Sequence, residues 1–89
     1  MDSGILAAIQ FLPKYKTAIK ELALRSESFR TLCGDFADAE QALRLWEKSK
    51  TPHGAAHCAE YRLLVEGLGA ELRQAILDGK AKSGGKDQV

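Results

Sequence analysis

Apolar residues recur every three or four positions along three stretches of this chain, and each stretch reads as one face of a helix. In the first, Ile5, Ala8, Leu12, Tyr15, Ile19 and Leu22 form the stripe, interrupted by Pro13. Proline inside a helix removes a hydrogen bond and clashes with the preceding turn. The pattern therefore predicts an N-terminal helical segment broken near Pro13: a short helix to about Leu12, then a second with Pro13 in its first turn. In the second stretch, about 28–48, the stripe is Phe29, Leu32, Phe36, Ala39, Leu43 and Trp46, widened by Cys33. Its polar face carries Asp35, Asp38, Arg44, Glu47 and Lys48. The third, about 52–78, shows Cys58, Tyr61, Val65, Leu68, Leu72 and Ala75, broadened by Leu64, Ile76 and Leu77.

The breaks carry helix punctuation. Ser26-Glu27-Ser28 offers capping oxygens for the second stretch, and Thr51 with Pro52 suits the start of the third. Gly79 follows the last periodic residue and fits a C-terminal cap. Gly67 and Gly69 oppose a helix there, so the third helix bends or a neighbouring backbone packs close. The expected fold is all-α: an antiparallel hairpin of 28–48 and 52–78, with the broken N-terminal segment alongside. Residues 1–79 form a single domain, and 80–89 is read as a disordered tail. Phe29, Leu32, Phe36, Leu43, Trp46, Tyr61, Val65, Leu68 and Leu72 are the expected core.

Composition agrees with helix: Ala, Leu, Lys, Glu and Arg make up about half the chain. Thirteen Lys+Arg against twelve Asp+Glu leave a net charge of +1, which excludes a function resting on bulk positive charge. The charges fall in blocks, with a net excess of cations up to Arg25 and of carboxylates over 26–78. No apolar run is long enough for a membrane span. The start, Met1-Asp2-Ser3-Gly4, lacks the pattern of a signal peptide. The chain is accordingly read as cytoplasmic, with Cys33 and Cys58 reduced. Counted back from the turn, those two cysteines sit too far apart in one hairpin for a disulfide.

Candidate chemistry is sparse. His53 and His57 stand four apart, with Cys58 adjacent and Glu60 three beyond, a spacing that could present ligands to a divalent metal. Against it, Cys58 lies on the apolar stripe, where cysteine serves as a small buried hydrophobe. No metal or other cofactor is expected. No phosphate-binding loop occurs, and no Ser or Cys is placed beside a base. The pair Asp35 and Asp38 reads as a solvated face, and the chain is not expected to be an enzyme. Lys14, Lys16, Lys20 and Arg25 flank Leu12, Tyr15, Ile19 and Leu22 as a basic amphipathic helix. Such a helix could bind an acidic surface, but it is expected instead to dock against the acidic second helix. The scattered positive charges give no nucleic-acid signature.

The lead-in helix, the run Ser28-Phe29-Arg30-Thr31-Leu32, the short break and the ending Glu71-Leu72-Arg73-Gln74-Ala75-Ile76-Leu77 resemble the small bacterial helical-hairpin proteins of the YdcH type. They are less closely similar to the SlyX type. The resemblance covers roughly half the chain. Trp46, the Thr51-Pro52-His53-Gly54 break and the Ile5–Leu12 segment depart from it. It implies a non-enzymatic helical protein and carries over no site residue.

A hairpin of this size buries little by itself, so self-association into a helical bundle is the economical solution. Phe36, Leu43, Leu64 and Leu68 are the expected interface. The function expected from the sequence is a non-catalytic, homo-oligomeric helical adaptor or small regulator with a protein partner. A metal-binding bundle through His53 and His57, and an acidic-surface binder through the basic first helix, are the alternatives.

Overall fold

The computed structural model describes residues 2–86, with side chains described through Lys80. Four helices and no strand are present among the described residues: α1 (Ser3–Phe11), α2 (Lys16–Arg25), α3 (Glu27–Lys48) and α4 (Pro52–Lys86). Local chemistry sets most boundaries. Asp2 caps α1, its Oδ1 accepting from the backbone N–H of Gly4 at 2.7 Å and of Ile5 at 3.3 Å. Leu12 leaves helical geometry, and Pro13–Tyr15 forms one 3-10 turn before α2. The break near Pro13 is therefore real, and proline opens the new turn where its missing N–H is harmless.

A single extended residue, Ser26, joins α2 to α3 and caps α3 by accepting from the Phe29 N–H at 3.1 Å. Arg30 reaches back to donate to the Ala23 carbonyl, satisfying an acceptor in the last turn of α2. Thr51 caps α4 through the Gly54 N–H at 3.1 Å, with Pro52 as the first helical residue.

Helices α3 and α4 form the expected antiparallel hairpin, and α1 packs mainly on α3. Helix α2 turns back to touch α1, α3 and α4. These two short helices gather at the end of the hairpin away from its turn, and the molecule measures 57 × 23 × 21 Å. The core lies at that end: Ile19, Cys33, Phe36, Leu72 and Ile76 are fully enclosed, with Ala8, Ala23 and Phe29 beside them. Of the expected core, Phe29, Phe36 and Leu72 are buried. Leu32, Val65 and Leu68 are half-buried at the edge of the core, while Leu43, Trp46 and Tyr61 are half-buried nearer the turn.

Close approach explains two glycines. A Cβ on Gly4 would sit 2.8 Å from the Gly34 nitrogen and 2.9 Å from the Cys33 carbonyl carbon, so the backbones of α1 and α3 touch there. A Cβ on Gly69 would sit 2.9 Å from Cζ of Phe11, whose ring also lies 4.9 Å from that of Phe36.

One expectation about the C-terminal end needs correction. Gly79 does not end the helix: α4 continues to Lys86, and among the described residues no glycine has the positive φ of a left-handed cap. A Cβ at Gly79 would meet Leu22 at 3.4 Å, so this glycine is a packing position under α2. Helix α4 runs through Lys86 into the stretch 80–89 read as a tail, and 87–89 lie outside the described residues.

Candidate functional site

The histidine cluster does not assemble. His53 is exposed, and His57 stacks its ring on Trp46 with centroids 4.1 Å apart and planes 24° from parallel. Cys58 points into the hairpin seam and is buried, whereas Glu60, two residues and so ~200° further round the helix, is exposed. No group of three or more His, Cys, Asp or Glu side chains placed to hold a metal ion occurs among the described residues. The stacking on Trp46 gives His57 a packing role that the sequence spacing alone could not reveal.

Both cysteines are free and buried. Burial pushes the Cys33 thiol from an ordinary 9.0 up to about 11, the Asp2 carboxylate adds to the rise, and a backbone hydrogen bond opposes it. A thiol held this firmly in its neutral form is a poor nucleophile.

The basic first segment does not pair with the acidic helix. Among the described residues the one ion pair is Arg62 with Glu47, at 3.5 Å. Lys14 and Lys80 instead hold their ammonium groups 5.3 Å and 5.1 Å from the centre of the Tyr15 ring. That ring belongs to a shallow groove between α2 and α4, which Glu21 and Arg25 also line. Asp35 and Asp38 line grooves of the α3–α4 seam, and neither pairs with a cation of α2 among the described residues. Apolar contacts of Ile19, Leu22 and Ala23 hold α2 in place.

Of the expected interface residues, Phe36 is withdrawn from every surface, enclosed in the core where its ring meets Phe11. Leu43 and Leu68 are half-buried, and Leu64 keeps 47% of its surface exposed. The N-terminal helices thus close the hairpin at one end and on one flank. On the other flank two adjoining grooves run along the α3–α4 seam. One is lined by Asp35, Asp38, Ala39, Ala42, Tyr61, Leu64 and Leu68. The next shares Asp35 and Leu68 with it and continues past Leu32, Glu71 and Ala75 to Leu22 of α2. This flank is a long, shallow, apolar-floored channel with carboxylates on its rim.

No family model, no curated protein and no solved structure matches the chain.

Proposed function

We propose that the chain is a non-catalytic helical interaction protein, an adaptor or small regulator, whose working surface is the uncovered flank of the α3–α4 hairpin. One observation carries this reading. The seam is closed by α1 and α2 on one side and left open on the other, where Leu64 and Leu68 stand over Ala39 and Ala42. A two-helix seam with one open flank is the shape that a further helix completes, giving the three- or four-helix packing by which such hairpins bury their stripes. Self-assembly is the form of this reading in which the further helix comes from a second copy, with Leu43, Leu64 and Leu68 at the contact.

Light scattering and native mass spectrometry of the untagged chain test the reading, together with chemical-shift mapping of added helical peptides. A mass of at least twice the 9.7 kDa chain that falls to one chain in Leu64→Glu supports it through self-docking. A one-chain mass, with shifts at Ala42, Leu64 and Leu68 when a helical peptide is added, supports it through a foreign helix. A one-chain mass whose flank signals ignore all such peptides overturns it. Metal retained in the mass spectrum, and lost in His53→Ala with His57→Ala, favours the metal-binding reading instead.

A further inference from the structure

The open flank differs from the covered one in charge as well as in access. Its two grooves are lined by Asp35, Asp38 and Glu71 and by no lysine, arginine or histidine. The helical repeat carries the trend along the hairpin, although His53 and His57 also face the open side near the turn and Glu40, Glu47 and Glu66 face the covered side. At ~100° per residue, Asp35 and Asp38 of α3, and Glu60, Glu71 and Asp78 of α4, all project toward the open side. Arg30, Arg44 and Lys48 of α3, and Arg62, Arg73 and Lys80 of α4, project toward the other side. The contacts agree. Arg30 bonds the Ala23 carbonyl of α2, Arg73 lies 5.8 Å from the centre of the Phe11 ring of α1, and Lys80 lies over Tyr15. Arg30, Arg73 and Lys80 thus meet the N-terminal segment and Arg62 meets Glu47, while the two grooves of the open flank are lined by carboxylates without a lysine or arginine.

We infer that this flank receives a basic amphipathic helix from another protein, which deepens the docking reading above by naming its partner. The apolar floor, from Leu32 through Ala39, Ala42, Leu64 and Leu68, takes one apolar stripe at i, i+3, i+4, i+7 spacing. The rim carboxylates take lysines or arginines on either side of that stripe. From Ser28 to Ala42 the channel runs roughly 21 Å along α3, enough for about four turns of partner helix. A second copy fits less well. In a two-fold dimer the same patch meets itself, so the carboxylates of both chains would crowd one surface that holds no cation among the described residues. The chain's own basic helix is also committed, since α2 spends Ile19, Leu22 and Ala23 on its own core.

Two synthetic 16-residue helical peptides test this. Both carry the same leucine and alanine stripe; one is flanked by lysines, the other by glutamates. The lysine peptide is expected to bind the full-length chain, to weaken as salt rises, and to shift amide signals of Asp35, Ala42, Leu64 and Leu68. The glutamate peptide is expected not to bind. The triple variant Asp35→Asn, Asp38→Asn, Glu71→Gln should weaken the lysine peptide about tenfold at low salt, because each exposed pair is worth a few tenths of a kcal/mol to about 1. A charge-matched control, Glu21→Gln, Glu40→Gln, Glu66→Gln, should leave it unchanged, and both variants should keep the helical circular dichroism of the parent. Equal binding of the two peptides, or equal weakening by both variants, overturns the charge assignment. A dimer with the flank protected, seen by light scattering without peptide, also overturns the partner while leaving the docking reading intact. Failure of both peptides and of self-association removes the docking reading itself.

Discussion

The two ends of the α3–α4 hairpin share one kind of sequence and reach different degrees of burial. Near Phe36 and Leu72 the apolar stripes are enclosed by α1 and α2, and Cys33, Phe36, Leu72 and Ile76 lose essentially all contact with solvent. Near the turn the same spacing places Leu43, Trp46 and Tyr61 on the seam, yet all three stay half-buried. The residues there are as large and as regularly spaced. What differs is the number of layers, four helices against two. A helix pair can cover one strip of each partner, and the sides of a wide stripe need a third neighbour. Burial at each position is therefore a property of its neighbours as much as of its own side chain.

The sharpest way to break this contrast is truncation of one large side chain at each end. Phe36→Ala should destabilise the chain by about 3–5 kcal/mol, because the ring leaves a cavity ringed by Phe11 and the rest of the core. Trp46→Ala should cost about half as much, because its pocket is open and water fills it. Urea unfolding followed by circular dichroism measures both, and equal losses would mean that the two ends are packed alike.

Gly69 tests how tightly the first helix is seated. Gly69→Ala should cost about 1–3 kcal/mol, since the new methyl meets the Phe11 ring at 2.9 Å, backed by Phe36. Chemical shifts of the Phe11 ring should move with it. A stabilised variant would show that Phe11 swings aside freely.

The Cys33 thiol gives the closed end a pH signature. Its folded pKa, about 11, lies above the ordinary 9.0, so the neutral thiol is the form the fold favours. The stability it confers is complete below about pH 9 and is lost as pH rises through about 11. Cys33→Ala should remove this alkaline component, on the order of 2 kcal/mol, as read from the difference in melting temperature between the two proteins at pH 8 and pH 10.5. Parallel pH profiles for the two proteins would place Cys33 in contact with water.

The smallest effect has the opposite sign. Gly67→Ala adds a methyl that meets nothing within 4 Å, two residues from the crowded Gly69. It should stabilise the chain by up to about 1 kcal/mol through helix propensity alone. A loss of stability in the same urea titration would reveal a contact at Gly67 that the helix pair by itself does not make, such as a docked partner backbone.

What the chain determined by itself was everything that depends on a few neighbouring residues. The stripes marked the helices, Pro13 marked the break, and Ser26 and Thr51 marked two helix starts, because periodicity, ring closure and capping act over one or two turns. The missing metal geometry at His57 was beyond that reach, since its stacking on Trp46 joins residues eleven apart across a turn. Gly69 and Gly79 looked like a flaw and a cap. Only the packed fold showed them as seats for Phe11 and Leu22. The open flank was likewise invisible as a site. Asp35, Asp38, Leu64, Leu68 and Glu71 come from two helices, and they become one surface only once the hairpin's register is set and α1 and α2 have taken the other side. Amphipathicity states how wide an apolar face is. Which neighbour covers it is decided by how the remaining helices can reach and pack, and that competition is tertiary.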